Sequence, residues 1–226
     1  MYGRRGRGHT HLSAGSPVCV SGFAYAKPST GSIKGDASMD ETPDSQDRFE
    51  LGGINHLALV CRDMQRTVDF YSGVLGMPLV KTIELPVGLG QHFFFDCGGG
   101  DHLAFFWFPD APEPAPGVSA PAARPDQGSL TSAIGSMNHV AFAVPPERIE
   151  QYRERLIDAG IPCTELANHD DSELGLSEVL HPGVFVRSIY FQDPDGILLE
   201  FACWTKGFGP DDAGLTPATA AGRSPV

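Results

Sequence analysis

The chain has 226 residues, 41% of them hydrophobic and 19% charged, with a formal net charge of −12; that is enough to bury a core as one large or two small domains, and no apolar run approaches the roughly 20 residues of a bilayer span. Residues 1–50 balance six Lys/Arg against six Asp/Glu, so the excess acid sits on the remainder, which repels phosphate backbones and anionic surfaces and excludes nucleic-acid and membrane partners. Five cysteines, an odd set without a CxxC pair, fit reduced thiols in a cytoplasmic protein better than a disulfide framework.

Residues 1–50, rich in Gly, Ser and Asp, read as a disordered N-terminal extension. The stretch "SPVCVSGFAYAK" after "RRGRG" mimics a signal peptide poorly, because its apolar centre is short and broken by Ser and Gly; Met39 is an alternative start. From residue 51 the pattern becomes regular. In "INHLALVC", His56, Ala58 and Val60 share one face of a strand, and Leu57, Leu59 and Cys61 share the other. A helix follows, with Asp63 as N-cap, Met64, Val68, Tyr71 and Leu75 as its apolar stripe, and Gly76 with Pro78 as its end. The remaining residues to 108 are enough for three strands. "PDAPEPAPGVSAPAARPDQGS", residues 109–129, is so dense in Pro and Ala that 109–133 is expected to be an extended linker or surface excursion.

The second block, 134–205, repeats the first. "INHLALVCRDMQRTVDFYSGVLGMPLV" aligns with "MNHVAFAVPPERIEQYRERLIDAGIPCT": Asn-His falls on Asn-His and Gly-Met-Pro on Gly-Ile-Pro. His139, Ala141 and Ala143 take one face of its strand. Pro145-Pro146 opens a helix with Ile149, Tyr152 and Leu156 on its apolar side, and Gly160 with Pro162 closes it. The last two strands are joined by the turn sequence "DPDG". Residues 206–226 lack periodicity and read as a flexible tail. The expected fold is α+β: two tandem βαβββ modules forming one curled, cleft-enclosing mixed β-sheet, covered by helices on one face.

By the duplication His56 and His139 occupy equivalent places on the small-residue faces, and Glu200 alternates with Leu198 and Ala202 on the last strand. A carboxylate among apolar neighbours is costly unless protonated, paired or metal-bound. Two imidazoles and a carboxylate with open positions make a three-donor site for a divalent cation, so His56, His139 and Glu200 are the expected metal ligands.

The paired "NHLALVCRDMQRTVDFYSGVLGMPLV" and "YFQDPDGILLEF" resemble the vicinal oxygen chelate superfamily, which includes glyoxalases, extradiol ring-cleaving dioxygenases, epimerases and bleomycin-resistance-type binding proteins. The resemblance, over residues 52–205, implies metal ligands on the first and last strands of the modules. It also implies that the glyoxalases and epimerases place a Glu or Gln where this chain has Ala104, which favours the three-ligand iron site of the extradiol dioxygenases. Those enzymes are similar also in carrying a Tyr ten residues before the ligand Glu and a His nine before that Tyr, here Tyr190 and His181, with roles in deprotonating a catechol and donating to oxygen intermediates. Their acid-base histidine aligns with Asp101, and His102 stands one residue along, which on a strand means the other face. His92 and His169 are assigned no role.

The expected function is therefore a metal-dependent dioxygenase, with Fe(II) as cofactor (Mn, Ni, Zn or Co as the other candidates) and a small aromatic vicinal diol as substrate. The alternatives are a glyoxalase-like lyase or isomerase and a binding protein that needs no metal. Exposed sheet edges in such an architecture favour a homodimer.

Overall fold

The computed structural model describes Phe49 and residues 51–219; the readings made for residues 1–48 and for the end of the tail lie outside the described residues. Module 1 runs β1 (His56–Cys61), α1 (Met64–Val68), β2 (Leu79–Leu85), β3 (Gly90–Gly98) and β4 (Asp101–Trp107). Module 2 runs β5 (Val140–Ala143), α2 (Ile149–Asp158), β6 (Ala167–His169), β7 (Val186–Gln192) and β8 (Leu198–Trp204). Strand order is β1-β4-β3-β2 in one sheet and β5-β8-β7-β6 in the other. Both βαβββ modules are thus present, as two four-stranded mixed sheets. No ladder joins them, which leaves β1 and β5 as edge strands.

The duplication is visible in the register. Ala58 pairs with Ala104 across the parallel β1–β4 ladder, as Ala141 pairs with Glu200 across β5–β8. On β3 and β7, Phe94 pairs with Ala104 where Tyr190 pairs with Glu200. Glu200 and Tyr190 of module 2 therefore have apolar counterparts in module 1.

Helix α1 starts where the sequence suggests: the Asp63 carboxylate accepts the Arg66 N–H at 3.1 Å. After Val68 the turns widen to π geometry over Asp69–Val74, with Leu75 N–H donating to the Phe70 carbonyl at 3.0 Å. Phe70 is buried along with Tyr71, so the inward face is broader than a straight helix predicts. Helix α2 follows a single 3₁₀ turn, Pro146–Arg148, and buries Ile149 and Leu156.

One hydrophobic cluster lies on the helix side of both sheets. It joins Cys61, Tyr71, Phe95, Leu103 and Phe105 of module 1 to Phe142, Ile149, Ile189, Phe191 and Leu199 of module 2. Side chains of this size each contribute about 1.5–3 kcal/mol on full burial. The opposite faces, which carry His56 and His139, lie outside this core.

The Asp193–Gly196 turn docks module 2 onto module 1. Asp193 Oδ1 accepts the Asp195 and Ile197 N–H groups at 2.9 and 2.8 Å, and Tyr71 donates its hydroxyl to Asp193 Oδ2 at 3.1 Å. Arg62 N–H donates to Asp195 Oδ2 at 2.9 Å. Gly196 has φ +85°, a left-handed position that glycine adopts without strain.

Residues 109–133 are held against the modules. Arg62 pairs with Glu113, Pro121 is fully buried, and Arg124, only 8% exposed, makes two bonds to Asp126 at 2.9 and 3.0 Å. Ala133 N–H donates to the Val118 carbonyl at 3.2 Å, and Asn138 Nδ2 donates to the Leu130 carbonyl at 2.6 Å. The Pro-rich composition expected of a tether is here a segment folded on itself and anchored at its charged residues. Among the described residues no helix is long and apolar enough to cross a membrane.

Burial pushes the Asp193 carboxyl up to about 6, with the charge of Asp195 adding to it and the Ile197 and Asp195 N–H groups and Tyr71 hydroxyl opposing it. A carboxyl whose folded pKa exceeds its unfolded value binds more protons when folded, so its contribution to stability falls as pH rises from about 4 to 6. Two pKa units correspond to about 3 kcal/mol. Asp193→Asn keeps the acceptor for both N–H groups; urea unfolding is expected to find it at least as stable as the parent at pH about 8, with that part of the pH profile flattened.

Candidate metal centre

His139 directly precedes β5, and its ring turns toward β8, where Glu200 stands. Nε2 of His139 lies 2.9 Å from Oε2 of Glu200, whose side chain is only 7% exposed. Burial pushes the Glu200 carboxyl up, but the bond to His139 and the positive potential of His139 and His169 more than offset it, and its pKa ends below the ordinary value.

The other ring nitrogen decides what this contact is. Nδ1 of His139 lies 2.7 Å from Oδ1 of Asn138. An amide oxygen only accepts, so Nδ1 carries the proton. In the neutral ring Nε2 then presents a lone pair to a carboxylate oxygen, and two acceptors this close need a cation, either a proton or a metal ion. Donors bound at about 2.1 Å and at right angles to one another are about 3 Å apart, so the pair fits two neighbouring positions on a divalent cation. Module 1 repeats half of the device: His56 Nδ1 lies 2.8 Å from Asn55 Oδ1.

His56 itself stands elsewhere. It is exposed on the open face of edge strand β1, with its ring edge-to-face on Phe94 at 5.6 Å. Among the described residues no three His, Cys, Asp or Glu side chains meet at metal-ligand spacing. One chain therefore brings together His139 and Glu200 but not His56.

Tyr190 is brought to the pair: it faces Glu200 across the β7–β8 ladder, edge-on to the His139 ring at 5.9 Å. Burial and the charge of Glu200 push its phenol up to about 12, so it is a protonated donor at neutral pH. Its hydroxyl lies 3.2 Å from Nε2 of His169 on β6. His181 is not part of this group; it lies in the loop before β7 and pairs with Asp170 at 3.1 Å.

Polar groups to which the pattern gives no role also stand at the open faces, among them buried His92, whose ring stacks on Phe106 at 3.6 Å. His169 sits on a three-residue strand whose pairing, His169 with Val186, follows a long loop, so neither its strand nor its direction could be placed from sequence. Ser188, two residues before Tyr190, is fully buried; its Oγ lies beside Glu200 and Tyr190, near enough to bias their ionisation, yet outside hydrogen-bond geometry with any partner. His102 pairs with His56 across β1–β4, and with Leu103 and Phe105 in the core it shares the open face with His56. The register of β3 shifts between Asp96 and Gly98, where Asp101 begins β4. The shift falls beyond His102, which pairs with Asp96 and with His56 in regular register; two residues before Ala104, His102 takes the open face by plain alternation along β4.

A cavity of about 700 Å³ opens beside Tyr190 and His169. Its walls include Leu166 from the β6 side, Leu174 and Leu176 from the loop after it, and Pro125 and Leu130 from the Pro-rich segment. No Lys or Arg lines it. Of its acidic residues, Asp126 pairs with Arg124 and Glu165 with Arg153. The space suits a small, largely apolar molecule with a hydroxyl for Tyr190, and offers nothing to neutralise an anion.

His169→Ala removes the partner of the Tyr190 hydroxyl, whereas His181→Ala gives up its pair with Asp170 and the bond from the Gly183 N–H, neither of which involves Tyr190. Calorimetric binding of a small phenol is expected to weaken about tenfold in the first variant and to stay within about twofold in the second.

A family profile described as "Glyoxalase/Bleomycin resistance protein/Dioxygenase superfamily" matches residues 53–201. Over 150 residues the chain is 27% identical to the metallothiol transferase FosB of Shouchella clausii, with 66% of this chain and 79% of that protein covered. It is 29% identical over 116 residues to MhqE of Bacillus subtilis, named as a candidate ring-cleaving dioxygenase, with 50% of this chain covered and only 33% of that one. A solved glyoxalase family protein from Enterococcus faecalis is 24% identical, with a TM-score of 0.48 over 67% of this chain and 97% of the other. With the profile spanning both copies of the repeat, the chain belongs to the glyoxalase/bleomycin resistance protein/dioxygenase superfamily.

Proposed function

We propose that the protein is a metal-dependent ring-cleaving dioxygenase of the extradiol kind, acting on a small aromatic vicinal diol, and that each site takes His139 and Glu200 from one copy of the chain and His56 from another. The observation that carries the substrate class is the apolar cavity without a cation, ending on Tyr190 and His169 beside the His139–Glu200 pair. An anionic substrate, such as a phosphonate or an α-keto acid, would meet no positive side chain there.

Unpaired strand edges support sharing between copies. Strands β1 and β5 are both unpaired edges, and an exposed edge is a template for another strand. Laying β1 of one chain beside β5 of another would bring His56, with the Ala58–Val60 face, up to His139, with the Ala141–Ala143 face. Isologous pairing makes two such sites per dimer.

Fe(II), when bound, supplies one centre at which both diol oxygens and O₂ meet. The protein's share is orientation and proton handling. Tyr190, held neutral by burial, would accept the proton of one diol hydroxyl while passing its own proton to His169. His102, beside His56, is placed to accept from the other oxygen. Ala104 and Phe94, where module 2 has Glu200 and Tyr190, leave that wall apolar and leave three donors rather than four. Aliphatic walls on the other side keep water out.

The test is oxygen uptake by Fe(II)-loaded protein with catechols, combined with mixing of two inactive variants, His56→Ala and Glu200→Ala. In a mixed dimer one site loses both changed residues and the other is intact, so random exchange should restore about a quarter of the parent's activity. No recovery on mixing would sink the shared site. Turnover of hemithioacetals or thiol adducts with Ni or Zn, without oxygen uptake, would replace the dioxygenase with a lyase or transferase.

A further inference from the structure

We infer that the Pro-rich segment sets which nitrogen of His139 is available: the Leu130 carbonyl holds the Asn138 amide, and Asn138 in turn fixes the proton on Nδ1 and leaves Nε2 facing Glu200. The inference rests on the metal-centre proposal for its purpose, but its geometry stands alone. Asn138 Nδ2 lies 2.6 Å from the Leu130 carbonyl oxygen. A carbonyl can only accept, so the amide can face it only through its NH₂. The orientation of the amide is thereby determined, and its oxygen is left toward His139 Nδ1, 2.7 Å away. Reversing the amide would set two acceptors against each other at Leu130 and two donors against each other at the ring.

The ring is held from both ends. Rotating it by half a turn would put carbon where Nδ1 meets Asn138 and where Nε2 meets Glu200 at 2.9 Å, and lose both contacts. Leu130 is itself positioned. Ser129 Oγ bonds Thr131 Oγ1 at 2.8 Å and accepts the Thr131 N–H at 3.0 Å, a turn that encloses Leu130. Farther back, Ala133 N–H reaches the Val118 carbonyl, and Arg124 is clamped to Asp126. The side chain of Leu130 also lines the cavity beside Tyr190. One residue of the segment therefore touches the substrate space with its side chain and the His139 network with its carbonyl.

Module 1 provides an internal contrast. Asn55 accepts from His56 in the same way, but among the described residues its NH₂ has no bond like that to Leu130. The insertion between the modules orders only the second copy of the Asn-His pair. Asn138 is thus a positioning residue, acting on a cation only through His139.

The test uses the full chain, labelled with ¹⁵N-histidine. In the parent, the Nδ1–H of His139 should be seen as an exchange-protected ring resonance, whether Nε2 is protonated or not. Asn138→Leu should abolish it and weaken cobalt(II) binding about 10- to 100-fold. Asn138→Asp restores an acceptor for Nδ1–H and should restore the resonance while losing the bond to Leu130, and Ser129→Ala should raise its exchange rate without abolishing it. Thermal melts of all three separate these effects from loss of fold. A parent without the protected Nδ1–H, or an Asn138→Leu variant that folds and keeps it, overturns the inference. If the parent takes up no cobalt(II), the metal-centre proposal fails, and the Nδ1–H resonance still decides the positioning role of Asn138.

Discussion

A carboxylate held 2.9 Å from an imidazole nitrogen whose opposite nitrogen is already a donor is the constraint around which the rest of module 2 is arranged. Glu200 is nearly buried on a strand whose other face is core. Such a group is costly to desolvate unless a positive charge or good donors meet it. The chain meets the need in layers: Asn138 directs the imidazole, Leu130 directs Asn138, and the folded Pro-rich segment positions Leu130. Truncating any layer leaves the carboxylate less well matched.

The two modules show how duplication separates scaffold from chemistry. Both keep the parallel first-to-last strand ladder, the covering helix and the Asn-His start. At the two positions that meet across the antiparallel ladder, one has Glu200 and Tyr190 and the other Ala104 and Phe94. The first module keeps His56 and His102 on an apolar open face, and the second holds the acid, the phenol and His169. Both modules leave an open face and a free edge, at β1 and at β5.

Coupling between the halves runs through the helix side instead. The Asp193 turn accepts from Tyr71 of module 1, and one hydrophobic cluster spans both modules. A buried carboxylate serves there too, but in a structural role: it organises the turn that leads into β8, on which Glu200 stands four residues beyond Gly196. The two buried carboxylates of this hairpin differ in what faces them, backbone N–H groups and a phenol at Asp193 and an imidazole at Glu200.

Much of this was legible in the amino-acid order. Period-two alternation in "NHLALVC" and "NHVAFAV", the caps at Asp63 and Gly160, and the "DPDG" turn determine the two βαβββ units, because local sterics and burial act over a few residues. The equivalence of His56 and His139 and the isolation of Glu200 follow from the repeat in the same way. What the tertiary structure decided are the contacts made across long loops. His169, rather than His181, meets Tyr190, because the 170–185 loop returns the chain in a register that spacing does not encode. His102 stands opposite His56 because β4 returns to pair with β1 in parallel, a register that local alternation does not encode. The Pro-rich stretch, unreadable by periodicity, becomes a wall and a brace because Glu113 meets Arg62 of module 1, the Leu130 carbonyl meets Asn138, and Pro125 and Leu130 reach the cavity beside Tyr190. And His56 stays apart from Glu200 because two sheets packed through their helix sides turn their open faces away from the shared core.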